Sequence, residues 1–258
     1  MHSVRNILAI AGKELRGYFA SPIAYIIIAM FGVLFGLFFI ASLRFFVEQS
    51  QRMAMMGGAG TVNVNEQMIR PVLQNAAVII LFVMPMITMR TYSEEMRSGT
   101  IELLLTSPLT DFEIIMGKFL GAMGLFGAML LVTLIDVAVL FRLGNPEWRP
   151  IAAGYLGLLL MGGCFISLGL LISSRTKNQV VAGIVTFAVF LVLWIVDWFG
   201  ESLGPTGQAI LSRLSITQNL DDFTKGMIDT THLAYYLSFI AFGLFLTAKS
   251  VDYERWRG

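Results

Sequence analysis

Residues Arg90 to Lys118 read RTYSEEMRSGTIELLLTSPLTDFEIIMGK, a charged stretch set between the apolar runs Val72 to Met89 and Phe119 to Phe141. This alternation decides the fold class. A helix rising about 1.5 Å per residue needs about 20 apolar residues to cross a hydrocarbon core of about 30 Å, and both flanking runs are near that length. The same ruler predicts six spans in all: Pro22 to Leu43, Val72 to Met89, Phe119 to Phe141, Ala152 to Ile172, Val180 to Phe199 and Thr231 to Ala248. Runs this long and continuous lack the alternation that a transmembrane strand needs, so the expected fold is an all-α polytopic membrane protein, one transmembrane domain over residues 1–258. The first run exceeds a secretory h-region and no small-x-small cleavage site follows it, so it reads as a retained span.

Composition agrees with that class. Of 258 residues 56% are apolar, and the net charge of +1 comes from basic residues spread along the chain rather than clustered, which gives no support for nucleic-acid binding. Cys164 lies in an apolar run and reads as a small buried hydrophobe. His2 and His232 stand without Cys or acidic neighbours at ligand spacing, so no metal site is expected. With the amino terminus inside, eleven Lys and Arg fall on inner segments and seven on outer ones, which favours both termini in the cytosol.

Residues Asn6 to Ser21 carry Ile7, Ala11, Leu15, Tyr18 and Phe19 near helical spacing, with Lys13, Glu14 and Arg16 on other faces, the pattern of an interfacial helix that either anchors the chain or meets a partner. Between Phe45 and Pro71 an outer loop is expected, with an unpatterned Met53 to Gly60. In the outer segment 200–230, Leu220, Phe223 and Met227 recur on one face, which predicts one or two short amphipathic helices. Gly32 and Gly36 in the first span, and Gly117, Gly121, Gly124 and Ala128 in the third, are small faces of the kind that pack helices in lipid, within the chain or between subunits.

Polar chemistry within the spans is sparse. Asp136 and Asp197 lie toward the outer ends of the third and fifth spans, either hydrated or paired with arginine, or lining an outward path. No carboxylate chain crosses the membrane, no HExxH or GxSxG is present, and Gly117-Lys118 lacks the earlier glycine and the Ser/Thr of a phosphate-binding loop. The chain is therefore not expected to be an enzyme. Within the charged stretch, Ser93 to Arg97 opens a helix that Gly99 interrupts. Leu103 to Leu105 form an apolar patch ended by Pro108, and Thr110 with Asp111 can cap a second helix running into the third span. The product is a helix, break, helix module, which either only connects two spans or receives an input.

At Tyr92-Ser93-Glu94-Glu95-Met96-Arg97-Ser98-Gly99-Thr100-Ile101-Glu102-Leu103-Leu104-Leu105-Thr106-Ser107-Pro108, followed by Gly117-Lys118, the chain resembles the ABC-2 family of ABC transporter permeases. Lys13-Glu14-Leu15, Ser173-Ser174, Asn178-Gln179, Asp222-Phe223 and Gly226 extend the likeness over almost the whole chain. With Leu143-Gly144-Asn145-Pro146, these pieces look most like the gliding-motility-type subgroup.

The resemblance implies a six-span, type V exporter-like half of a dimeric core in the bacterial cytoplasmic membrane, paired with a second copy or a related permease. A separate ABC ATPase dimer, which would bind ATP and magnesium, would drive it; no cofactor is expected in this chain. By the same resemblance Glu94, Glu95, Arg97, Gly99, Thr100 and Glu102 form a coupling helix that meets the ATPase, braced by Lys13, Glu14 and Arg16. An auxiliary membrane subunit with a large extracytoplasmic domain accompanies the subgroup. A membrane subunit that transmits force without moving a substrate is the competing expectation, and substrate identity does not follow.

Overall fold

Eleven helical segments appear in the computed structural model, which describes residues 2–55, 63–102, 106, 108–196, 198–199 and 204–255. Among the described residues there is no strand. The segments are α1 (His2–Ala20), α2 (Pro22–Met55), a π-helical turn (Asn65–Ile69), α3 (Arg70–Thr88), α4 (Ser93–Ser98), α5 (Asp111–Leu143), α6 (Trp148–Ser173), α7 (Gln179–Ile195), α8 (Gly204–Leu214), α9 (Ile216–Thr224) and α10 (Thr230–Arg255).

Among the described residues five stretches are long and apolar enough to cross a membrane: Pro22–Met55, Asn65–Ser98, Asp111–Leu143, Trp148–Ser173 and Thr230–Tyr253. The expected fifth span, Val180 to Phe199, is the exception. There the α-helix covers 17 residues and ends at Ile195, roughly 25 Å at 1.5 Å per residue, at the short limit for a span. The expected loop from Phe45 also differs. Helix α2 continues through Arg44, Glu48 and Arg52 to Met55, so its 34 residues extend about 51 Å, beyond the apolar part. The span ruler counts apolar residues, whereas a helix with its backbone hydrogen bonds made can run on into polar sequence. Residues 56–62 of the expected loop lie outside the described residues, as does the Leu103 to Leu105 patch.

Helix α6 is the centre of the bundle, packed against α3, α5, α7, α9 and α10. Its small residues take the neighbours' side chains: Gly154 faces Leu73, Gly157 faces Phe223 and Leu220, Gly163 faces Ile240. Close approach gives dispersion contacts where burial from lipid provides little drive. The 200–230 segment forms two short helices, α8 and α9, with Leu220 and Phe223 buried. Met227, placed on the same face by periodicity, lies beyond the end of α9 and is exposed.

The most extensive pairing in the chain joins α1 to α5. It follows from the small face of the third span. A Cβ added at Gly117 would sit 2.5 Å from Ile10 Cβ, and one at Gly121 2.6 Å from Glu14 Cβ. The absence of those atoms lets the two backbones close on each other, so the small face serves packing within the chain. Gly32 also faces α5 closely, a Cβ there standing 3.2 Å from Val132, whereas one at Gly36 would make only ordinary contact with Asp136.

Candidate functional site

Helix α5 starts in a capping box: Glu113 N donates to Thr110 Oγ1 at 3.3 Å, and Thr110 N donates to Glu113 Oε2 at 2.9 Å. The other Glu113 oxygen accepts from Asn6 Nδ2 at 3.2 Å, pinning the start of α1 beside the start of α5. One and a half turns on, Lys118 projects from α5 with 1% of its side chain exposed. Its ammonium meets Glu14 Oε1 of α1 and Glu95 Oε1 of α4, both at 2.9 Å, and donates to the Thr91 carbonyl at 3.0 Å. The Tyr92 ring lies below, its centroid 5.0 Å from Nζ. An ammonium has three protons, and these three oxygens match them.

Helix α4 is held from its other side by α6. Ser173 Oγ accepts from the backbone N–H groups of Tyr92 and Ser93 at 3.0 and 3.1 Å and donates to the Met89 carbonyl at 3.1 Å. Ser93 Oγ also donates to the Met89 carbonyl. Gly99 closes α4 at φ 74°, a left-handed conformation that a side chain would strain. Tyr18 completes the packing: its hydroxyl donates to the Ile87 carbonyl at 3.3 Å, and the Arg90 guanidinium lies 5.0 Å from its ring centroid. Burial raises the Tyr18 phenol above its ordinary value, partly opposed by its contact with Thr91.

These elements enclose a cleft of about 600 Å³ whose walls include Lys13, Glu14, Glu94, Glu95, Ser98 and Thr100. The residues singled out in the sequence divide here into two sets. Lys13, Arg16, Glu94, Arg97, Gly99, Thr100 and Glu102 are exposed. Glu14 and Glu95 turn inward, with 16% and 17% of their side chains exposed, and share Lys118. Such a cleft with an acidic and basic rim can receive a protein segment while the buried triad ties its walls together.

Residues 8–243, a range that includes Glu14, α4 and Lys118, match the family described as ABC-2 family transporter protein. The chain belongs to the ABC-2 family of transporter proteins. That family's membrane proteins serve as permease subunits of ABC transporters and work with ABC ATPase partners. Its apolar helices make this ABC-2 protein a multi-pass membrane protein. No curated protein matches the chain.

At the other end of the ABC-2 bundle, Asp136 is half-buried against Gly36 of α2, and among the described residues it forms no ion pair with Arg142. Asp197 lies outside the described residues. Sequence spacing missed a polar network there. Asp221 of α9 accepts from Arg70 at 2.7 Å and Gln74 at 3.1 Å and meets Lys225 at 2.6 Å. Burial pushes the Asp221 carboxyl up, but Lys225 and Arg70 outweigh it and hold it below its ordinary value. His232, which stands alone in the sequence, bridges Asn219 at 2.6 Å and Asp222 at 2.9 Å. Gln74, Asn219, Asp221, Asp222 and His232 help line a cavity of about 880 Å³. Among the described residues no group of three or more His, Cys, Asp or Glu is placed to hold a metal ion.

Proposed function

We propose that this chain is the permease subunit of an ATP-driven, exporter-type ABC transporter, and that a separate nucleotide-binding subunit docks in the cleft between α1 and α4. The observation that carries this reading is the simultaneous pairing of Lys118 with Glu14 and Glu95 beneath that cleft. A push on α4 reaches α5 directly through Lys118, reaches α6 through Ser173, and reaches α1 through Glu14. In a packed, desolvated site these links move as one body. Glu94, Arg97, Thr100 and Glu102, with Lys13 and Arg16, then present the contact surface, while Glu14 and Glu95 transmit rather than touch.

In this account ATP and magnesium belong to the partner, two six-helix halves face each other, and both termini lie in the cytosol of a bacterial cell. The excess of Lys and Arg on the segments at the α1 end supports that orientation. An auxiliary extracytoplasmic subunit and the gliding-type subgroup have support only from the sequence pieces around Leu143 to Pro146 and Asp222 to Gly226.

The test is ATPase stimulation in the reconstituted complex. Glu94→Lys should abolish stimulation while the isolated chain keeps its melting temperature, because Glu94 is exposed and holds nothing in the bundle. Unaltered stimulation would remove α4 from the coupling path.

A further inference from the structure

A second groove, of about 450 Å³, opens between α6, α7 and α10 at the same end of the bundle as Lys118. Leu171, Val181, Val185 and Leu246 form its walls. Two cations, Arg175 and Lys249, stand at its end. The geometry places both charges at one level. Arg175 lies one turn beyond Leu171, Lys249 one turn beyond Leu246, and Ser174 Oγ donates to Ser250 Oγ at 2.8 Å, which locks the ends of α6 and α10 side by side. Among the described residues the Arg175 guanidinium has no carboxylate partner, and Lys249 reaches Asp252 at a loose 3.7 Å. Lys177 adds a third exposed cation two residues on.

We propose that this groove binds one anionic phospholipid, its phosphate between Arg175 and Lys249 and an acyl chain along Leu171, Val181, Val185 and Leu246. Two observations select that occupant. The walls are apolar and belong to helices that cross or enter the membrane, where acyl chains are the surrounding solvent. The cations sit where those helices leave the apolar zone, the height of lipid phosphates, and carry more positive than negative charge. A soluble anion would match the cations and leave the walls unused. A zwitterionic lipid would bring a choline cation up beside its phosphate and cancel part of the attraction, so a headgroup of net negative charge fits the cations better. The inference rests on the membrane-spanning reading and not on ATPase coupling, so either can fail alone.

Native mass spectrometry of the full-length chain released from detergent tests it, with phosphatidylglycerol, phosphatidylcholine and glycerol 3-phosphate as separate probes. The wild type should retain one phosphatidylglycerol at low stoichiometry and no phosphatidylcholine, and glycerol 3-phosphate should not displace the lipid. Arg175→Gln with Lys249→Gln should weaken retention on the order of tenfold or more. Val185→Trp, which fills the groove and keeps both charges, should do the same. Arg175→Lys with Lys249→Arg should retain the lipid, which separates lost charge from lost folding. Equal retention of both lipids, unchanged retention in the Gln pair, displacement by glycerol 3-phosphate, or loss in the charge-keeping pair would each overturn the proposal. So would a cross-link between two copies at Val185, which would place a second chain in the groove.

Discussion

Lys118 Nζ and Glu95 Oε1 lie 2.9 Å apart on α5 and α4, 23 positions apart in sequence, at a point where the lysine is 1% exposed. Desolvating an ammonium is costly, and Glu95, Glu14 and the Thr91 carbonyl together offset that cost. Removing one partner from such a site leaves unpaired charge behind. Lys118→Met should therefore destabilise the chain by about 3–5 kcal/mol, because Glu14 and Glu95 are left facing each other. Thermal melting in detergent reads this directly. Adding Glu14→Gln and Glu95→Gln to Lys118→Met should recover most of the loss, since no unpaired charge then remains. A melting temperature unmoved by Lys118→Met would mean that water, not protein, solvates the ammonium.

Much of this arrangement is legible in the sequence and some is not, for physical reasons. The apolar runs show where helices cross, Gly99 and Thr110 mark where α4 stops and α5 starts, and the glycine face of the third span predicts a close neighbour. None of these identifies the neighbour. Glu14 and Lys118 are 104 residues apart, and a charged residue beside an apolar run looks the same whether it snorkels to water or meets a carboxylate. In the sequence Glu95 looks equivalent to Glu94 for the same reason, although adjacent helical residues point about 100° apart and only one of them faces Lys118. Asp222 and His232 are ten residues apart across the turn between α9 and α10, a separation that carries no periodic signal.

Close approach of α1 and α5 makes a second prediction. Gly117→Ala places a methyl group 2.5 Å from Ile10 Cβ, an atom fixed to the α1 backbone, so α1 must move rather than repack. A loss of about 1–3 kcal/mol is expected. Amide exchange in residues 6–18 should accelerate with it. Ile10→Gly in the same chain removes the Ile10 atoms that clash, though not the Ile7 carbonyl 3.2 Å away, and should restore part of the protection that Gly117→Ala removes. If Gly117→Ala leaves exchange unchanged, α1 does not lie on this face.

The far end of the bundle has its own pH dependence. Asp221 is held below its ordinary value, so the stability it contributes is full above the unfolded carboxylate value of about 4 and is lost as pH falls through the lower folded value. Between neutrality and about pH 5, amide protection of Leu220 and Phe223 should stay constant, and below about pH 4 it should fall. Asp221→Asn should already show the low-pH exchange rate at neutrality. Protection that falls between pH 7 and 6 in the wild type would point to a different group.

Ser173 anchors the amino-terminal end of α4 with one hydroxyl that serves two N–H groups and one carbonyl. Ser173→Ala leaves those groups buried without it and should cost about 1–3 kcal/mol. Its coupling effect separates it from an ordinary buried serine: ATP-dependent stimulation should drop while docking affinity for the ATPase changes little. A parallel loss of both would make Ser173 a folding residue only.

The central claim, that the exposed face of α4 is where the ATPase subunit docks, is tested most directly by site-specific photo-cross-linking in intact membranes. A photoreactive residue placed at Glu94 or Arg97 should cross-link to the copurifying ATPase, while the same residue at exposed Trp148, at the opposite end of the bundle, should not. Cross-links from Trp148 with none from Glu94 or Arg97 would contradict the account.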